Sequence, residues 1–158
     1  MAVLSRLEEY LESRQIPYTC TTHPVAFTAQ EVAQAEHLSG RMIAKAVVLL
    51  ADGAFAMAVL SADAIVDLQE LRHALGVSHL RLATEREIAD LFPDCELGAM
   101  PPFGNLYNVP VYVEASLAQQ QEIAFNAGTH RDVVHLKFAD FRRLVEPIIL
   151  SFGRRVAA

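Results

Sequence analysis

No run of apolar residues approaches the roughly 18 that a membrane-crossing helix needs, so a helical membrane protein is excluded. The chain carries only two cysteines, Cys20 and Cys95, far apart and outside any CxxC pattern. That excludes a disulfide scaffold or a zinc ribbon, and a reducing cytoplasm is the expected compartment. The first residues, Met-Ala-Val-Leu-Ser-Arg-Leu-Glu-Glu, carry charges where an export signal needs its apolar stretch, so no export is expected. Positive charge is scarce: 13 basic residues against 19 acidic give a net charge of −6, which excludes non-specific coating of nucleic acid. Lysine is scarcer still, with only Lys45 and Lys137. No GxGxxG or GxxxxGK[ST] follows a strand, so a dinucleotide fold and a P-loop enzyme are disfavoured. There is no GxSxG elbow, no HExxH and no EF-hand loop. Six histidines occur, but none forms an HxH or helical HxxxH pair, and no metal or other cofactor is expected.

What remains is an apolar-rich chain, 53% hydrophobic over 158 residues, long enough for one domain with a real core. Repeats, low-complexity tracts and linkers are absent, so a single domain over 1–158 is expected. Val3, Leu4, Leu7, Tyr10 and Leu11 recur at helical spacing. Pro17 ends that region and Tyr18 to Thr22 reads as a strand. Thr28-Ala29-Gln30-Glu31 is a capping box that predicts a helix to His37, with Gly40 as terminator. Ile43 to Leu50 and Phe55 to Leu60 are apolar on both faces and flank Asp52-Gly53, which predicts a central hairpin. Asp67 and Thr84 each open a short helix, to Leu75 and about Leu91, with His79 to Leu82 as a strand between them. Phe92 to Asn108 reads as a loop. Val109 to Glu114, Glu122 to Asn126 and Asp132 to Phe138 read as strands, the last two joined by the turn at 126–129. Asp140 is the expected cap of a final helix through Val145. The apolar tail Ile148-Ile149-Leu150 with Phe152 would cover the core or a second copy. The sum is a mixed α/β (α+β) fold with largely antiparallel pairing.

Four segments could carry chemistry. Lys45 sits in Ala44-Lys45-Ala46-Val47-Val48-Leu49 and shares a strand face with Val47 and Leu49. It reads either as a snorkelling side chain at the strand's start or as a partly desolvated ammonium that grips a phosphate or a developing negative charge. The loop Gly98-Ala99-Met100-Pro101-Pro102-Phe103-Gly104 puts Phe103 on a rigid support, as a core anchor or a pocket wall. In Asn126-Ala127-Gly128-Thr129-His130, a positive-φ Gly128 could turn backbone N–H groups outward, with His130 beside them to orient a substrate or move a proton. His23-Pro24 leads to Thr28 at a helix start, where capping alone is a sufficient account.

In order and spacing, these four segments resemble the YbaK/prolyl-tRNA-synthetase-associated editing-domain family. The matching pieces are His23-Pro24 with Thr28 and Glu31, the strand lysine Lys45, the Gly98-x-x-Pro101-Pro102-Phe103-Gly104 loop, and Asn126-Ala127-Gly128-Thr129-His130. The resemblance implies a barrel-like mixed sheet flanked by helices. It also implies a free-standing hydrolase that deacylates tRNA mischarged with a small amino acid, of the Ala, Cys, Ser or Thr class. Its partners would be the tRNA acceptor end and an aminoacyl-tRNA synthetase, with no membrane role.

An aminoacyl ester is already activated, so no Ser or Cys nucleophile is essential. On this reading Lys45, Gly128 and His130 are the catalytic set: N–H groups near Gly128 for the oxyanion, Lys45 for the acceptor-end phosphate or ester, and His130 for the substrate or water. His23, Thr28, Asn126, Pro101, Pro102, Phe103, Gly104 and Thr129 would bind substrate. Pro101, Pro102, Phe103 and Thr129 form the walls that exclude a larger residue, and the Thr129 hydroxyl receives a hydroxyl or thiol. The alternative is a non-catalytic binding or regulatory module of the same fold that holds a nucleotide-like or aminoacyl ligand.

Overall fold

The computed structural model describes residues 3–155. The remaining residues of the expected 1–158 domain lie outside the described residues. The hairpin forms as its sequence dictates. β2 (Ala44–Ala51) and β3 (Ala54–Ser61) pair in register from Ala44↔Ser61 to Ala51↔Ala54, and Asp52 and Gly53 both turn with positive φ, 48° and 83°. The Asp52 carboxylate also accepts the backbone N–H groups of Ser78 and His79 at 2.8–3.2 Å, tying the turn to the strand beside it. The hairpin is central. β5 (Leu80–Leu82) flanks β2, and β6 (Val111–Glu114) flanks β3, followed by β9 (Ile148–Leu150), in the order β5-β2-β3-β6-β9. The tail thus completes a sheet edge, and Phe152 is fully buried. Antiparallel pairing dominates, but β3–β6 and β6–β9 run parallel.

A second sheet is wholly antiparallel: β1 (Thr19–Thr22), β8 (Asp132–Lys137) and β7 (Glu122–Asn126), in the order β1-β8-β7. A short pair joins β4 (Ala64–Val66) to β10 (Gly153–Arg155). The two larger sheets meet at one parallel bridge, Ile43↔Ala124, where the Ala124 N–H donates to the Met42 carbonyl at 2.9 Å. The expected class, mixed sheets flanked by helices, is the one that forms, and among the described residues the barrel-like sheet is not a closed barrel.

The helices cover the sheets. α1 (Val3–Ser13) buries Leu7 and Leu11 in the main core. α2 (Ala29–Ala35) has the predicted capping box on Thr28 and packs Val32 and Ala33 on Ile43, Ala62, Ala124 and Val133. It stops earlier than expected: the positive φ of 58° falls on His37, and Gly40 instead offers its carbonyl to the Ala62 N–H. α3 (Leu68–Leu75) is capped by Asp67, and α4 (Glu85–Leu91) by a capping box on Thr84. α5 is Phe138–Val145, so Asp140 lies inside it rather than capping it, and pairs with Arg143 at 3.0 Å. β2 is covered on both faces. Ala44 and Val48 face the main core, while Leu49, with Val47 against it, packs with Leu60, Leu71 and Phe152.

Gly104 occupies a position where only hydrogen fits. A Cβ there would stand 2.6 Å from the Val109 carbonyl oxygen and 2.7 Å from Val111 Cγ2. Gly104→Ala is expected to cost about 1–3 kcal/mol of stability, the cost of overpacking a closed core. A denaturant titration that left the midpoint unchanged would refute that close approach.

Candidate functional site

The bridge at Ile43↔Ala124 sets the site's geometry. Two residues further along each parallel strand stand Lys45 and Asn126, both on the side that Ile43 and Ala124 present to α2. Lys45 is half-buried beside its partner Leu60, and among the described residues no hydrogen bond or ion pair engages its ammonium. Burial pushes its pKa down, and the Asp63 carboxylate opposes this in part. The Asn126 side-chain oxygen is buried without a partner. Two residues after Asn126 comes Gly128, at φ 95°, in the region that favours glycine.

The turn is clamped by the loop at 96–99. The Gly128 N–H donates to the Ala99 carbonyl at 2.8 Å, and the Gly128 carbonyl accepts from the Glu96 N–H at 2.7 Å. The His130 N–H donates to Glu96 Oε1, and its ring Nε2–H donates to the Leu97 carbonyl, both at 2.8 Å. A carbonyl only accepts, so the proton sits on Nε2 and His130 Nδ1 presents a lone pair. That Nδ1 is buried and unpartnered. The Ala26 N–H reaches the His130 carbonyl at 3.2 Å, so the segment before α2 joins the same cluster.

Several expectations change here. The Gly128 N–H is already bonded, so it does not point outward as an oxyanion donor. The N–H groups of Ala127, His130, Arg131 and Asp132 are likewise engaged, which leaves the N–H of Thr129 without a partner among the described residues. The Thr129 hydroxyl donates to Asp132 Oδ2 at 2.7 Å and accepts from the N–H groups of Arg131 and Asp132, so it locks the turn rather than receiving a substrate group. Phe103 is fully buried against Tyr10, Phe125 and Phe141, and Pro101, Pro102 and Gly104 are buried with it. The ring of Phe103 is a core anchor and not a pocket wall. His23 is also turned inward: Nδ1–H donates to the Pro24 carbonyl at 2.6 Å, and Nε2 faces Glu36 Oε2 at 4.0 Å. The Thr28 hydroxyl oxygen accepts the Glu31 N–H at 3.0 Å, as capping requires.

Neither cysteine competes as a nucleophile. Burial pushes the Cys95 thiol up to about 11, and burial together with the Glu8 carboxylate raises Cys20. Among the described residues, no group of three or more His, Cys, Asp or Glu side chains is arranged to hold a metal ion, and no helix is long and apolar enough to cross a membrane. One contributor the sequence reading missed is Glu96, which holds both ends of the turn. Its signal was weak, a lone acid in a Pro/Gly-rich loop.

The fold, with the clamped turn that follows β7 and a half-buried lysine on β2, defines a class: a mixed α/β domain of two larger sheets flanked by helices. The chain belongs to the aminoacyl-tRNA editing domain family, which it matches over residues 23–144. It is 30% identical over 154 residues to the multifunctional Ser/Thr-tRNA deacylase ProXp-y of Escherichia coli (strain K12), covering 94% of this chain and 92% of that protein. It is 27% identical over 133 residues to a proline–tRNA ligase of Shouchella clausii, covering 78% of this chain and 23% of the ligase. Among solved structures, one proposed to be a trans-editing enzyme for prolyl tRNA synthetase superposes with a TM-score of 0.83 at 23% identity, covering 98% of both chains. A crystallised hypothetical protein superposes with a TM-score of 0.84 at 17% identity, covering 94% of this chain and 99% of that one.

Proposed function

We propose that this chain, as one editing domain over residues 1–158, is a free-standing hydrolase that removes small non-cognate amino acids from mischarged tRNA, serine and threonine esters first among them. The observation that carries the reading is the 30% identity, over nearly the full length of both chains, with the E. coli Ser/Thr-tRNA deacylase. The likeness to part of a proline–tRNA ligase supports prolyl-tRNA synthetase as the partner, and both relatives are translation enzymes, which supports a cytoplasmic location.

The chemistry needs little. Ester hydrolysis passes through a tetrahedral oxyanion, and a preorganised ammonium or amide stabilises it as charge develops. Lys45 supplies the ammonium, toward the oxyanion or the adjacent phosphate. The free N–H of Thr129 replaces that of Gly128 as the amide donor, with Gly128 setting the turn. The Nδ1 lone pair of His130 accepts a proton from the attacking water or orients it. The unpartnered Asn126 oxygen accepts from the substrate's α-ammonium or hydroxyl. His23, Thr28, Pro101, Pro102 and Gly104 shape the surrounding backbone.

The test is a panel of tRNAs carrying alanine, cysteine, serine and threonine. Serine and threonine esters are expected to be hydrolysed fastest, above the spontaneous rate. Binding across the whole panel with no turnover would instead establish the non-catalytic module.

A further inference from the structure

Among the described residues few large apolar side chains are left in water, and three of them, Val25 (43% exposed), Phe27 (67%) and Leu97 (44%), lie in the two segments bonded to His130. His130 itself is only 8% exposed. Two hydrogen bonds fix the arrangement: the His130 carbonyl accepts from the Ala26 N–H, and the His130 ring Nε2–H donates to the Leu97 carbonyl. The Phe27 and His130 ring centroids stand 4.9 Å apart, tilted by 53°, and two-thirds of Phe27 stays open to solvent. Phe27 directly precedes the N-cap Thr28, where an apolar side chain usually folds onto the helix's first turn, here at Val32. Phe27 instead remains two-thirds exposed against His130.

We propose that Phe27, backed by His130, is a stacking site for a nucleobase at the 3′ end of the RNA. This deepens the tRNA-hydrolase reading and rests on it. A planar apolar ring left open to solvent suits a base, whose π-surface stacks whatever its hydrogen-bonding pattern. tRNA ends in adenosine, and its ester hangs from that nucleoside's ribose. A base held at Phe27 would therefore keep the ester close to the Thr129–His130 turn.

The chain contains no tryptophan, so Phe27→Trp keeps a stacking ring and introduces a unique fluorophore. Uncharged tRNA is expected to quench it, and the same tRNA lacking its terminal adenosine to do so at least 10-fold more weakly. In parallel, Phe27→Ala and Phe27→Leu should bind intact tRNA roughly 10- to 100-fold more weakly, the effect of losing one base–aromatic stack, whereas Phe27→Tyr should bind as the parent does. Equal quenching by both RNAs, or full affinity in Phe27→Leu, overturns the proposal and marks the patch as an ordinary apolar contact, such as one with a synthetase. None of these readouts requires an ester to be cleaved. Failure of the mischarged-tRNA panel with the adenosine-dependent quench retained would overturn only the hydrolase reading; turnover without that quench would overturn only the stacking site.

Discussion

Lys45→Ala is expected to lower kcat/KM for deacylation by about 100-fold, since removing one preorganised electrostatic donor from a site of this kind costs roughly 10²–10³ in rate. The fold should survive. Among the described residues the ammonium has no hydrogen-bonded partner to strand, and its burial disfavours the charged form. Lys45→Met retains an apolar stem without the charge, so it should melt no lower than the parent and be equally inactive. Full activity in either folded variant would remove Lys45 from the mechanism. The pH dependence follows from the same burial. The folded chain gives up this proton below the ordinary lysine value of 10.5, while the unfolded chain holds it up to that value. Between those two points the unfolded state binds more protons, so this group's contribution to stability rises with pH. The charged form needed by the substrate disappears over the same interval. Activity, corrected for spontaneous hydrolysis, should therefore fall on the alkaline side while this residue's drag on stability is relieved. The falling limb should be missing from whatever activity Lys45→Met retains.

Phe103→Ala should be the most destabilising single truncation in the loop at 98–104, costing about 3–5 kcal/mol, the usual range for removing a buried phenyl ring. For a chain of this size that corresponds to a melting temperature lower by on the order of 10 °C. The reason is the ring's surroundings: Tyr10, Phe125 and Phe141 lie 5.4–6.2 Å from it, from the first helix, a strand of the second sheet and the last helix. Phe103→Leu fills most of the space and should retain both fold and substrate preference. A Phe103→Leu protein that folds normally but accepts a different amino acid would restore Phe103 as a pocket wall and refute the core assignment.

The secondary structure was legible wherever a local rule decides it. Thr28 with Glu31, Thr84 with Glu87 and Asp52-Gly53 satisfy their backbone through neighbours a few residues away, so the sequence carries the whole instruction. The parallel pairings of β3 with β6 and β6 with β9 were not legible, because they depend on crossovers that no local pattern encodes. The same distinction runs through the site. Its apolar neighbours left Lys45 as a snorkelling or a partly desolvated ammonium, and the half-burial with its lowered pKa fits the second. That the Gly128 N–H is occupied was not legible, because its partner, Ala99, lies in a separate loop. Phe103 and Phe27 read in opposite senses. The proline-rich loop left Phe103 as a core anchor or a pocket wall, and it is enclosed, while Phe27, to which no motif pointed, is the exposed ring next to His130.

The clamp between Glu96–Ala99 and Gly128–His130 means that this turn takes much of its shape from a stretch of chain outside its own hairpin. Competence and foldedness are therefore separable in this molecule. On the proposed mechanism, loosening that one irregular stretch would reshape the Gly128–His130 turn without removing a single ladder hydrogen bond from either sheet, so such a form would keep its fold and lose proofreading.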